Sequence, residues 1–564
     1  MKAKFKKVLS LALALTMVLA LAACGGNNAG NTSNTGNTGN TTNEQTGGET
    51  AAEGETLAAE QVFYFFLNNE PGTLDPWVNN SAEASQIVIE LHEPMLRRDG
   101  EGGWLPGLMT DYQTNEDHTV HTLTLREGAK WSDGTDITVD DIVYSYQRAL
   151  DPALGSSIAY RYFPILNAEA FYMGEVGADE LGVKAVDDHT IEITTTEPCD
   201  YFVDMMTSAG FAPVQKAAAE EYGDLYGTDV DKVVSSGPFV LTEWTHQNSM
   251  VLEKNENYWD ADNVKLERVE ITITSDSNTL TGMYQSGELS LMRVSNDQLQ
   301  LFTDENMVKN SRMQVTFIEF NPRNEFLANK NIREAFSIAF NRTLMAEQLM
   351  GNAELAAYGL VPYGVTGLDG GDFREQAGNV VTDANDASEI ERAKELLQTG
   401  LDELGKTVEE LQEGFSIQCL AGGEDQATAI QNMWKTNLGV EMPVQVLEMN
   451  VLLPMLTEGT FDCVIGGGQD SDYRDPQGYM QFIYDEGKWD NEEFRSLVEL
   501  AHTQVGDERI QTWMDIERLV LENFIYIPQL YSENNWAVAS NVRGVGIFNY
   551  GTEIEFQNAY IVEE

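Results

Sequence analysis

Catalytic groups are scarce in this chain. It holds six histidines in 564 residues, His92, His118, His121, His189, His246 and His502. His92-Glu93-Pro94 has no second histidine four residues on, and proline stops the helix that such a metal motif needs. His118 and His121 fall in a threonine-rich strand and are expected at the surface. There is no Gly-x-Ser-x-Gly elbow, no phosphate loop and no Gly-x-Gly-x-x-Gly after a strand. No catalytic residue, cofactor or metal is expected, and the reading is not an enzyme.

Cysteine is as sparse: Cys24, Cys199, Cys419 and Cys463. Cys419 and Cys463 sit in strand-like runs, Phe415–Leu420 and Phe461–Ile465, where small buried hydrophobes are the expected role. The spacing leaves open whether they pair. Positive charge is also short, with 34 basic against 91 acidic residues and a net charge of −57. Such a surface argues against nucleic acid or anionic lipid as direct partners and suits cationic or zwitterionic ligands, or serves solubility alone. Long apolar runs are missing apart from one at the N-terminus, and a membrane span needs roughly 18–20 residues.

That one run states an address. Met1–Lys7 carries four lysines and Val8–Ala22 is apolar, the n- and h-regions of an export signal over 1–23. Leu21-Ala22-Ala23-Cys24-Gly25 resembles the bacterial lipobox. It implies lipidation of Cys24 and anchorage to the outer face of the bacterial cell membrane. Residues 24–58 are Gly, Asn, Thr, Ser, Ala and Glu without an aromatic, too polar to offset chain entropy by burial. A flexible coil of that length spans roughly 30 Å and reads as a tether.

The remainder is large and 42% of the chain is hydrophobic. Single cores stop growing near ~250–300 residues, so two or three lobes are expected. Val62–Leu67 reads as a buried strand; Thr119–Leu125, His189–Thr195 and the alternating Val269, Ile271 and Ile273 read as strands. Ala84–Leu91 has helical spacing, and Thr138 with Asp141 makes a box-like cap for a helix. Ile332, Ala335, Phe336, Ala339, Phe340 and Leu344 predict one helical face over Ile332–Leu344. Ile430, Met433, Trp434 and Leu438 predict another, stopped by Gly439 and followed by a strand at Val444–Leu447. Helix, glycine stop and apolar strand is α/β grammar.

The stretch of most chemical interest is Phe461–Pro476. The apolar run Cys463–Ile465 empties into Gly466–Gly468 and then into a loop carrying Asp470, Asp472 and Asp475. Glycines let backbone approach a neighbour closely, and carboxylates suit a cation or an ammonium group.

Seven segments in order carry a resemblance. They are Glu70-Pro71-Gly72-Thr73-Leu74-Asp75-Pro76, Leu125–Gly134, Ser236-Gly237-Pro238-Phe239, Asn255–Trp259, Asn331–Phe336, Trp434–Val440 and Ala559–Glu563. From about Phe63 to Glu564 the chain resembles the solute-binding lipoproteins of ABC importers for oligopeptides and dipeptides, extracellular solute-binding protein family 5. The resemblance implies an α/β, two-lobed periplasmic-binding-protein-like (type II) fold with a hinge and an extra domain inserted in the first lobe. Lobe I would comprise 59–94, 208–314 and 533–564, the inserted domain II 95–207, and lobe II (domain III) 315–532. A monomer would enclose a peptide ligand between the lobes and deliver it to the membrane permease of an ABC importer.

The resemblance also implies site residues. Asp472 matches the carboxylate of the family's Trp-x-x-Asp-Tyr-x-Asp-Pro, which pairs with the ligand's α-ammonium, and Asp475 is left to an Asx-type turn. Asn80, Ser81 and Ala82 match the segment that offers backbone to the ligand. Tyr160 matches a tyrosine near the ligand, and Tyr531 lies near the second lobe crossing. Two departures stand out: Gln469 or Gly468 replaces the family tryptophan, and Met449, beside Glu448, replaces a second. The lost tryptophans keep open a metal chelate or oligosaccharide as ligand; an extracellular hydrolase is a third reading.

Overall fold

The computed structural model describes residues 55–563 except 101, 296–297, 303–305, 352–353 and 384–385. The export signal 1–23, the lipidation of Cys24 and the tether up to residue 54 lie outside the described residues.

The first unit is built on β1 (Val62–Leu67), whose Phe63, Phe65, Phe66 and Leu67 are buried. Helix α1 (Ala82–Leu91) follows, with Ser81 Oγ accepting from the Ala84 amide as its N-cap. The chain then leaves for a separate antiparallel sheet of β2 (Met109–Thr114), β3 (Val120–Leu125), β4 (Val183–Ala185) and β5 (Thr190–Thr194), in the order β2-β3-β5-β4. Helix α2 (Val139–Ala149) carries the Thr138–Asp141 capping box read from the sequence. The core here gathers Leu123, Ile191, Trp131, Tyr146 and Tyr162, and draws in Trp77, Phe211 and Tyr226 from flanking segments.

One expectation fails in this unit. His121 is fully buried, its ring 4.5 Å from Phe202 and its Nδ1 2.9 Å from the Tyr112 hydroxyl. Burial pushes its pKa down to about 4, so it sits neutral in the core rather than at the surface. β3 alternates, and residue 121 shares the inward face with Leu123 and Leu125.

Returning to the first unit, β6 (Phe239–Thr245), β7 (Ser249–Lys254) and β8 (Arg268–Ile273) complete a sheet of order β1-β8-β7-β6, with β1 and β8 parallel. Its core holds Phe63, Leu252, Val269 and Phe556.

A seven-stranded mixed sheet runs out of the first unit and forms the centre of the second lobe. β9 (Leu291–Arg293), β10 (Met307–Phe320), β11 (Glu354–Ala356), β12 (Ile417–Leu420), β13 (Val444–Leu447), β14 (Cys463–Gln469) and β15 (Tyr526–Val538) run β9-β15-β10-β14-β12-β13, with β11 on β15. Alternation along β10 sends Met313, Val315 and Phe317 into a core with Trp513 and Tyr526. Ile318 and Phe320 enter the opposite core with Phe336 and Trp434. Both faces are therefore covered, as an α/β sheet requires. β10 and β15 pair from Met307↔Ala537 to Glu319↔Tyr526, running through the expected lobe limits at 314/315 and 532/533.

Helix α3 (Lys330–Ala339) is shorter than the stripe predicted. Phe340 is extended, the Asn341 side chain accepts from the Leu344 amide to start a new turn, and Leu344 is exposed. The cap outcompetes the apolar periodicity. Helix α4 (Glu424–Leu438) ends as read, on Gly439 with φ 74°. Cys419 and Cys463 lie on the adjacent parallel strands β12 and β14, but Cys463 faces Ile417; both are free and buried.

The glycine run corrects another expectation. Gly467 and Gly468 do not open a loop but continue β14 against β10, opposite Phe317 and Thr316. Gly466, at φ 79°, stands where the register shifts between Phe317 and Ile318. A Cβ on Gly467 would lie 3.0 Å from the Phe317 ring. What Gly467 approaches is a core aromatic. No helix among the described residues is long and apolar enough to cross a membrane.

Candidate ligand-binding site

The loop after β14 is fixed from below. Asp475 Oδ1 accepts from the Gln477 amide, closing an Asx turn, and both carboxylate oxygens meet Arg509, at 2.6 and 3.0 Å. Arg509 belongs to helix α5 (Gly506–Glu522) and also donates to Gln477 Oε1 at 2.6 Å. Gln469 Nε2 donates to the Asp470 and Gly478 carbonyls, so its side chain braces the loop's two ends.

From the side, the inserted unit grips the same loop. Arg474 pairs with Asp204 at 3.0 Å through both its guanidinium and its backbone amide, and also reaches the Gly102 carbonyl. Tyr473 stacks on Tyr201 with centroids 4.3 Å apart, and the Gly506 amide donates to Asp200. His502 lies 3.2 Å from Glu197. This clasp places Arg161, beside Tyr160, 3.1 Å from Asp472. The Asp472 carboxylate raises the Arg161 pKa, against the effect of burial. Asp472 is 53% exposed, so the pair is screened and worth at most about 1 kcal/mol.

Deeper in lie groups less well satisfied. Burial raises Asp470 to about 6, opposed by Arg312, reinforced by Asp472, with Arg161 a smaller opposing charge. Burial raises Glu354 to about 7, opposed by Arg312 and reinforced by Glu533. Arg312 sits in the bulge where the β10–β15 register breaks between Ser311 and Val315, and the next residue, Met313, has φ 50°. Left-handed backbone at a non-glycine and a bulge in a central strand both re-aim side chains and gather at functional sites. The Tyr479 hydroxyl holds the Met313 carbonyl at 2.6 Å. Arg312 Nη1, Arg161 Nε and Glu354 Oε2 are buried without a hydrogen-bond partner among the described residues. Each such orphan costs roughly 1–3 kcal/mol, more where charged.

The residues singled out from the sequence are thus divided. Asp472 and the Tyr160 segment meet. Asn80 and Ala82 are exposed at the start of α1 in the first lobe, and Ser81 is spent on capping it. The Tyr531 hydroxyl is taken by Gly359, whose amide and carbonyl both lie at 3.0 Å, and its ring is buried in the core with Met313 and Trp513. Met449 follows β13, two strands away from β14. Arg161, Arg312, Glu354 and Glu533 went unread. A cation beside Tyr160, in a chain so poor in cations, was a usable signal for Arg161; Glu354 carried none.

Buried atoms of Arg161, Arg312 and Glu354 thus lack partners close to the strands that run through both lobes. Among the described residues no cluster of His, Cys, Asp and Glu could hold a metal ion.

Comparison with known proteins narrows this. The model for bacterial extracellular solute-binding proteins, family 5 (middle), matches residues 104–491, and the chain belongs to that family. It is 27% identical over 569 residues to the oligopeptide-binding protein OppA of Bacillus subtilis, covering 97% of this chain and 98% of that one. To the dipeptide-binding protein DppE of the same organism it is 29% identical over 554 residues, covering 96% and 97%. The solved substrate-binding domain of an oligopeptide ABC transporter from Bacillus anthracis superposes with a TM-score of 0.72 at 27% identity, covering 90% of this chain and all of that one. The two-lobed fold implied by the sequence holds.

Proposed function

We propose that this protein captures short peptides between its lobes and hands them to the permease of an ABC importer. The observation that carries the reading is the charged junction itself: orphaned groups of both signs, in a fold whose relatives are named for oligopeptide and dipeptide binding. A peptide is a zwitterion, and both its ends match what the junction is short of. Asp472 receives the α-ammonium, whose pKa near ~8 keeps it charged at neutral pH. Arg161 holds that carboxylate until the ligand arrives. The first lobe offers backbone at Asn80–Ala82, and Gln469 and Met449 leave roomier side-chain pockets than tryptophan would.

Lobe I (59–94, 208–314, 533–564), the inserted domain (95–207) and lobe II (315–532) move about a hinge in β10 and β15. Ligand shifts the balance toward closure only by binding the closed form better. The protein works as a monomer, tethered to the membrane through lipid on Cys24.

Mass spectrometry of what copurifies, followed by calorimetry with a tripeptide and its N-acetylated form, tests the reading. Acetylation is expected to weaken binding at least tenfold. Equal affinity would remove Asp472 from its role, and silence toward all peptides would remove the peptide. Palmitate incorporation should vanish in Cys24→Ala; label persisting in that variant would refute the anchor.

A further inference from the structure

One contact across the clasp changes character with a single proton. His502 closes the helix Glu492–Ala501 of lobe II, and its Nδ1 lies 3.2 Å from Glu197 Oε2 of the inserted unit. Its Nε2 lies 2.9 Å from Gln481 Oε1. The Gln481 amide is held in that orientation, because its Nε2 donates to Asp485 Oδ1 at 3.0 Å. An oxygen therefore faces His502 Nε2, and that nitrogen carries the hydrogen. In the neutral ring Nδ1 is then a bare lone pair set against the Glu197 carboxylate. A proton added at Nδ1 turns that opposition into a charge-assisted contact. The other groups near the ring are Tyr484, with centroids 6.4 Å apart, and Glu499 on the Tyr484 hydroxyl. Neither is a cation that would oppose the imidazolium. Asp200, three residues beyond Glu197, is occupied by the Gly506 amide and by His118 of its own unit.

We propose that His502 is a proton-dependent latch, which holds the inserted unit against lobe II when its ring is protonated and loosens the clasp when it is neutral. With the lobes apart, His502 and Glu197 are separated and the added proton gains no partner. The closed arrangement therefore binds that proton more tightly, and by reciprocity closure is favoured as pH falls and released as pH rises. The side chains of His502 and Glu197 are 21% and 38% exposed, so water screens the pair. The closed-to-open ratio should shift about two- to fivefold, the scale of a screened pair. The inference rests on the lobe movement of the reading above and not on the ligand being a peptide.

Single-molecule energy transfer between dyes on exposed positions of the inserted unit and of lobe II reads the closed-to-open ratio of the full chain without ligand. The wild type should be about two- to fivefold more closed at about pH 5.5 than at about pH 8, the range over which histidine changes charge. His502→Gln, which cannot take up the proton, and Glu197→Gln, which removes the charge it pairs with, should each lose that difference. Acids elsewhere, Glu354 and Asp470 among them, titrate in all three proteins and cancel in the comparison. A wild-type ratio that does not change with pH overturns the inference and needs no variant to fold. The same pH dependence in the wild type and His502→Gln overturns it as well. Neither result touches peptide capture, and a protein that captures no peptide would still show the latch.

Discussion

The Asp475–Arg509 pair is the clearest lever on the site, because it carries the loop from a buried position beneath it. Replacing Asp475 by Asn keeps the acceptor for the Gln477 amide but strands the Arg509 cation. The two side chains are 5% and 1% exposed, with contacts of 2.6 and 3.0 Å. Breaking a buried pair by neutralising one partner costs roughly 3–5 kcal/mol, since the remaining charge is left desolvated. For a lobe of this size that corresponds to roughly 6–20 °C in its unfolding temperature. Differential scanning calorimetry of the full chain should show the lobe II transition fall by that amount and the first lobe's stay put. The double variant Asp475→Asn/Arg509→Met removes the stranded cation and should recover at least half the loss, because an apolar replacement of both partners is often neutral. Ligand affinity should fall in the single variant, as Asp470 and Asp472 lose their support. A drop below about 3 °C, the scale of an exposed pair, would refute the reasoning, and so would a double variant no better than the single.

Other consequences can be checked as directly. Gly466→Ala places an ordinary residue at φ 79° with its nearest new neighbour, Gln426 Oε1, at an ordinary 3.6 Å. The cost should therefore be backbone strain alone, roughly 1–2 kcal/mol in urea unfolding, and a much larger loss would mean a clash the geometry does not contain. Arg474→Gln removes the guanidinium contacts to Asp204 and Gly102 that join the loop to the inserted unit and leaves only the backbone amide on Asp204. Small-angle scattering should show a larger radius of gyration without ligand, and an unchanged radius would mean the clasp does not hold the lobes. Glu354 titrates near 7 when folded against 4.5 as a free side chain. The folded state thus binds the extra proton, and stability should fall as pH rises from about 4.5 through 7. Glu354→Gln should flatten that slope; an unaltered slope would assign it elsewhere.

What the sequence made legible is what neighbours in sequence decide. The Thr138–Asp141 box, the Gly439 stop and the burial of β1 each depend on a few adjacent residues, and each is present. His121 was misplaced because the threonines around it suggested a solvated strand, when only the phase of alternation mattered. The break after Ala339 was hidden because an apolar stripe continues through it, and the Asn341 cap that ends it is weaker in sequence than in energy.

The site was less legible for a reason of topology. Its charged members come from residues 161, 312, 354, 470, 472 and 533, and no spacing relates them. The β10–β15 ladder sets Arg312 near Glu533, β11 adds Glu354, β14 delivers Asp470, and the clasp on Arg474 and Tyr473 swings Arg161 in. The glycine run shows the same logic from the other side. Read alone, three glycines before three acids suggest a cradle. Set against β10, Gly467 makes room for Phe317, and β14 stays paired with β10 as far as Gln469. The loop's chemistry then begins where the glycines end. A substitution in the run would act on the ligand only through the loop's position, so its effects on stability and affinity should move together, whereas a change at Asp472 should separate them.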